Sequence, residues 1–361
     1  MAAAPESLPH PFGHPLRTGA VPLISPRELE RLLQTPDPPV VLDVRNAEER
    51  SLARFPGDRH IPMYELPRRY SELPTDRPIV VCCQFGSDSR RAVEYLRRKG
   101  LRSVAALEGG LDEYARVVDP SIPRYRFAER EATLLVRQFP RPESGCLAYL
   151  VGDPVSHDAV LIDPGRDVAP YVASLADGPW KLRAIIETHT HADHLAGHAE
   201  LHRRTDAAIY LSHRSPASYP HSSLAEGQTL SFGDESVSVL ETPGHTRDHL
   251  TLRVRDKIFT GDTLLIGACG RTDLGDGSPE LLWESLTEKI LRLPDETEVL
   301  PAHFGRRHAL VERYVSALGF ERATNEALNQ PSREAFVTYM KEGWPPKPHD
   351  FDAIVRENLR E

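Results

Sequence analysis

The sequence predicts an α/β protein of two unlike domains, and three observations carry that prediction. An N-terminal block alternates short Val/Ile-rich runs with amphipathic stretches. A Pro-containing, aperiodic charged stretch, "DPSIPRYRFAER", follows it. In the block beyond, apolar runs end five times at a residue able to bind or orient a metal.

The 361 residues suit two domains or one large and one small. Residues 1–21 read as a Pro-rich, flexible leader, 22–118 as the first domain, 119–130 as a linker and 131–361 as the second domain with a helical tail. In the first block "PVVLDVR" and "PIVVCC" are continuous apolar runs bounded by proline, which predicts buried strands of a parallel sheet. "SRRAVEYLRRKG" predicts a helix with Gly100 as its C-terminal stop, and "SVAALEGG" predicts another strand entering a tight turn.

A net charge of −9 without a basic stripe argues against a nucleic-acid partner. No apolar run approaches the length of a membrane span, and no secretory signal is evident, so the expectation is no membrane partner. Four cysteines, Cys82, Cys83, Cys146 and Cys269, make no disulfide framework, and the expected compartment is the cytoplasm.

The five apolar runs of the second block end at Asp163, His189, His245, Asp262 and His303. Functional groups of α/β folds gather at the carboxyl ends of strands, so five such ends predict one polar pocket. "THTHADH" adds His191, Asp193 and His194. Five imidazoles and the two carboxylates Asp193 and Asp262 suffice for one or two transition-metal ions, and the residues alone leave that choice open.

"THTHADHLAG", "TPGHT", "FTGD" and "PAH", in this order, resemble the metallo-β-lactamase fold, an αββα sandwich with a metal site at the sheet edges. The stretch "ACGRTD" and the tail "SREAFVTYMKEGWPPKP" are similar to its persulfide dioxygenase branch. That resemblance implies one Fe(II) held by His189, His245 and Asp262. His191, Asp193, His194, His303 and Asp163 are then supporting residues or a second metal site. It also implies a small-molecule thiol persulfide and O2 as substrates, glutathione persulfide among them, and a homodimer. Arg271 matches the residue near the organic part of the substrate; an ion pair with Asp273 is its other reading. Cys269 reads as packing. Where the branch carries a tyrosine after the last histidine, this chain has Phe304. The alternatives are two Zn(II) ions in a thioester hydrolase of the glyoxalase II kind, and a non-catalytic module that senses sulfane sulfur.

"VVLDVRNAEER", with Asp43 and Arg45, the loop at Cys83 and "ALEGGLDEY" resemble a rhodanese domain. The resemblance implies Cys83 as a sulfurtransferase nucleophile at the start of a helix, where N–H groups lower a thiol pKa. The loop departs from the rhodanese pattern: Asp88 stands where an arginine is usual, with Arg90 and Arg91 following. A carboxylate there raises the thiol pKa. Cys82 is expected to be buried and inert.

Overall fold

The computed structural model describes residues 21–55, 57–122, 133–141, 144–303, 314–341, 344, 347 and 350–360. Most of the expected leader, much of the expected linker and Phe304 lie outside the described residues. The chain forms two compact units that part near residue 126.

The first unit holds β1 (Leu23–Ile24), β2 (Val40–Asp43), β3 (Arg59–His60), β4 (Ile79–Cys82) and β5 (Val104–Leu107), all parallel in the order β1-β5-β4-β2-β3. Every residue of β4 and β5 is buried, the signature of a sheet covered on both faces. The helix expected after β4 spans Ser87–Arg98, and Gly100 beyond it takes φ +96°. The "LEGG" turn serves the cysteine loop. A Cβ on Gly110 would stand 2.5 Å from the carbonyl oxygens of Cys83 and Gln84, so only glycine lets the two segments meet. The amides of Leu111 and Asp112 then donate to those carbonyls at 2.9 and 3.1 Å. From the other side, buried Arg45 forks onto Asp43 and donates to Gln84 Oε1 at 2.8 Å, which ties the end of β2 to the same loop.

The second unit contains two six-stranded sheets. One comprises β6 (Leu135–Arg141), β7 (Cys146–Gly152), β8 (Asp158–Ile162), β9 (Lys181–Ile186), β10 (Ala208–Ser212) and β11 (Ser222–Leu224), in sequential order, antiparallel through β8 and parallel beyond. The other comprises β12 (Thr229–Phe232), β13 (Glu235–Glu241), β14 (Leu250–Val254), β15 (Lys257–Gly261), β16 (Glu298–Pro301) and β17 (Ser316–Ala317), antiparallel except for β15–β16. Helices Ala169–Ala176 and His198–Thr205 place Tyr171 and Leu201 on the first sheet, against Leu150, Leu161 and Ile185. Helices Pro279–Glu288, Leu318–Thr324 and Arg333–Tyr339 place Leu282, Leu286, Leu318 and Phe336 on the second, against Ile258 and Val299. The result is the expected αββα sandwich.

Tyr149 of β7 meets Phe259 of β15 edge-on at 5.1 Å, and its hydroxyl donates to the Pro301 carbonyl at 2.5 Å. Tyr149 is fully buried, so without that hydroxyl the carbonyl would lose a partner where water does not reach. Tyr149→Phe is expected to lower the stability of this unit by about 1–2 kcal/mol. The check is the midpoint of denaturant unfolding followed by Trp fluorescence.

Candidate metal centre and cysteine loop

Five strand ends converge at one rim of the second unit. Asp163 follows β8, His189 follows β9, His245 follows β13, Asp262 follows β15 and His303 follows β16. Gly261 turns the chain into Asp262 with φ +49°, and a Cβ there would stand 2.5 Å from His249 Nε2. Glycine therefore lets Asp262 approach, and its amide donates to His249 Nε2 at 2.9 Å.

His189 Nε2 and His245 Nε2 face Asp262 Oδ2 at 4.0 and 3.4 Å. The three donor atoms lie within 4.8 Å of one another. The far side of each imidazole is held by a fixed partner. Thr188 Oγ1 donates to Asp163 Oδ2 at 2.9 Å and so accepts from His189 Nδ1, also at 2.9 Å. His245 Nδ1 donates to the Arg271 carbonyl at 2.7 Å. Both Nε2 lone pairs are thereby aimed at the centre. Burial first, then the neighbouring His191, His249 and His245, push His189 well below the usual imidazole range, so it is neutral. Two imidazoles oriented by their far-side partners and a carboxylate fit one d-block ion with positions left open.

His303 has another task. Its Nδ1 lies 2.6 Å from Asp262 Oδ1 and its Nε2 2.7 Å from Asp193 Oδ2. Burial would lower its pKa, but the two carboxylates outweigh burial and raise it well above the usual value. Burial would likewise raise Asp262, but the charge and hydrogen bond of His303 bring it down to about 2. His303 is an imidazolium clasped between two carboxylates, with neither nitrogen free to ligate.

His191 points away from the trio. Its Nε2 lies 3.0 Å from Glu187 Oε2 and 3.3 Å from Asp163 Oδ1, which raise it well above its ordinary value against the cost of burial. Glu187 also meets His198 Nδ1 at 2.9 Å. Asp193 takes His194 Nδ1 at 3.2 Å and the thiol of Cys146 at 2.8 Å. Asn358, on helix Phe351–Asn358, secures the loop between: Nδ2 donates to the carbonyls of His191 and His194 at 3.0 and 2.9 Å, and Oδ1 accepts from Ala196 N–H at 2.9 Å.

Sequence reading missed Glu187, Thr188, His249, Cys146, Arg141 and Asn358. The first two sit in "IIETH", at the end of the apolar run that leads into His189, so position was the available signal. His249, stacked on His189 at 4.8 Å, follows "TPGHT" by three residues. Cys146, Arg141 and Asn358 come from far along the chain and carry no local pattern.

A cavity of about 470 Å³ opens beside the trio, walled by Leu274, Trp344, Phe351 and Val355, with His245, Asp262 and His303 at its polar end. Arg271 lines it and pairs bidentately with Asp273, Nε and Nη2 each donating at 2.8 Å. The ion-pair reading of Arg271 therefore describes its side chain, while its carbonyl fixes His245. Cys269 is packing: its sulfur lies 3.5 Å from Met340 Sδ, and burial pushes its thiol up to about 12.

In the first unit Cys83 Sγ accepts from the amides of Gly86 and Ser89 at 3.1 and 3.3 Å. The expected lowering of its pKa does not prevail. Burial first, then the charge of Asp88, push the thiol up to about 11 despite those amides. Arg91 faces Asp88 at 3.8 Å. Cys82 is buried and pushed well up, as expected of an inert thiol.

Residues 25–116 match the family model of the rhodanese-like domain, and residues 141–303 that of the metallo-beta-lactamase superfamily. The chain is 36% identical to the mitochondrial persulfide dioxygenase ETHE1 of Mus musculus over 232 residues, which is 63% of this chain and 89% of that protein. The crystal structure of ETHE1 from Myxococcus xanthus shares 34% identity and a TM-score of 0.59, covering 62% of this chain and 98% of its own. A hydroxyacylglutathione hydrolase of Cereibacter sphaeroides is 38% identical over 162 residues, 43% of this chain and 61% of that enzyme. The chain belongs to the metallo-beta-lactamase superfamily, as a homologue of the ETHE1 persulfide dioxygenases that carries an N-terminal rhodanese-like domain.

Proposed function

We propose that the second unit oxidises a low-molecular-weight thiol persulfide at a single ferrous ion, and that the first unit moves sulfane sulfur through Cys83. The net reaction is RSSH + O2 + H2O → RSH + HSO3⁻ + H⁺. The observation that carries this reading is the trio of His189 Nε2, His245 Nε2 and Asp262 Oδ2, with Asp262 Oδ1 already engaged by His303. These three residues would hold the ion. Once bound, it supplies a Lewis acid and redox partner for the sulfur and O2.

The chain supplies the rest. Thr188 and the Arg271 carbonyl keep each imidazole in its ligating tautomer. His303 keeps Asp262 ionised and oriented. The wall of Leu274, Trp344, Phe351 and Val355 takes the organic part of the persulfide and excludes water. Arg271, packed over Trp344 at 5.8 Å, borders that part with its charge balanced by Asp273. An apolar wall with a balanced arginine suits a thiol of modest charge. Among the described residues no helix is long and apolar enough to cross a membrane, and the four thiols are unpaired, in keeping with the cytoplasm.

The rival is a dinuclear zinc thioester hydrolase, favoured by the match to hydroxyacylglutathione hydrolases. It needs His303 to give up one of its two carboxylate contacts, since an imidazole ligates through a single nitrogen.

Elemental analysis of anaerobically purified protein is expected to give about one iron per chain, with oxygen uptake on glutathione persulfide. About two zinc per chain with thioester turnover would reject the reading. Asp262→Ala is expected to lose the iron and reduce uptake by about 100-fold or more. Cys83→Ser is expected to leave uptake within about twofold while abolishing sulfur transfer from thiosulfate to cyanide; loss of uptake with small persulfides would contradict the division of labour.

The Cys83 thiol is neutral at pH 7, and its thiolate grows as pH rises toward about 11. The rate of Cys83 alkylation by iodoacetamide is therefore expected to climb across that whole range. Asp88→Asn removes the negative charge that opposes ionisation, so the profile should move to lower pH. An unmoved profile would remove Asp88 from the account.

A further inference from the structure

We infer that Arg141 closes the neighbouring donor cluster to a second ion, so that the centre takes one. The inference rests on the metal centre described above and extends it to what sets its nuclearity.

Beside the trio, Cys146, Asp193 and His194 offer donor atoms within 4.8 Å of one another, and His303 Nε2 lies 3.4 Å from Cys146 Sγ. By donor type alone, a thiolate, a carboxylate and imidazoles make a good site for zinc. Its donors are nevertheless already committed. The Cys146 thiol donates to Asp193 Oδ2, which His303 Nε2 also contacts. His194 turns Nδ1 to Asp193 Oδ1 at 3.2 Å, which leaves Nε2 as the lone pair a metal would need.

Arg141 takes that lone pair. It sits on β6 directly across from Cys146 on β7, and its Nη2 lies 3.4 Å from His194 Nε2 and 3.5 Å from the Asp163 carbonyl. Room for the guanidinium is made by Gly165, where a Cβ would stand 1.9 Å from Arg141 Nη1. Arg141 Nε and Nη1 are buried without a hydrogen-bond acceptor among the described residues, so what this group brings to the cluster is mainly its charge. A guanidinium does not deprotonate in a protein. A divalent ion entering the cluster would meet a permanent cation at short range, and it would have to displace that cation from His194 to gain a ligand. Thus the cluster is satisfied by protons and one arginine instead of by a metal.

The test is metal stoichiometry, which does not depend on turnover. Metal-free protein is equilibrated with excess zinc over a weak chelator, desalted and analysed for metal. Wild type is expected to keep about one zinc per chain, Arg141→Lys about one, and Arg141→Met about two. Loaded with cobalt(II), Arg141→Met should show thiolate-to-cobalt charge-transfer absorption in the near ultraviolet. Wild type and the Arg141→Met/Cys146→Ser double variant should lack it. Thermal melts establish that the variants are folded, and Arg141→Gln replaces Arg141→Met should the latter aggregate. Two zinc ions in wild type, or one in the folded charge-free variant, would overturn the inference. Wild type that retains no metal would overturn the metal centre itself, and this inference with it.

Discussion

The centre depends on one contact, the His303 imidazolium gripped between Asp193 and Asp262. Asp193 belongs to the loop that follows β9 of the first sheet, and Asp262 and His303 follow strands of the second, so the contact joins the two halves of the sandwich at their shared rim. It also divides the work of Asp262: one oxygen is tied to His303, and the other faces His189 and His245. Burying charges is costly unless each finds partners. Here the partners continue outward, through Cys146 and His194 on Asp193, so that the cost is shared over a network.

The fold was legible because its strands obey simple rules. The fully buried runs of β4 and β5 read as parallel-sheet strands in the sequence and are such strands in the structure. The five strand ends likewise read as one pocket because each places a polar group just past an apolar run. The roles within the pocket were not separable by residue type. His191 and His189 stand two residues apart, yet one faces Asp262 and the other is turned to Glu187 and Asp163. What separates them is the hydrogen bond on the far ring nitrogen, and its partner is fixed only once β8 and β9 pair. Arg141, Cys146 and Asn358 were invisible for the same reason, since their partners lie about 50 to 170 positions away.

The cysteine loop shows two rules in competition. An amide-lined cradle favours a thiolate, and Cys83 has that cradle. Desolvation and the Asp88 carboxylate oppose it, and together they win. The substitution of an acid for the usual arginine was readable in the sequence; the dominance of burial was not, because it depends on how closely residues 109–112 pack on the loop.

The clasp of Asn358 on the loop of residues 191–196 has a consequence in time. Synthesis runs from the N-terminus, so more than 160 residues are added after His191 before the side chain that anchors its loop exists. The rhodanese-like unit has all its strands long before then. Closure of the loop beside the candidate metal centre is therefore a late event in the life of the nascent chain, and it waits on a helix that lies outside the His189, His245 and Asp262 trio.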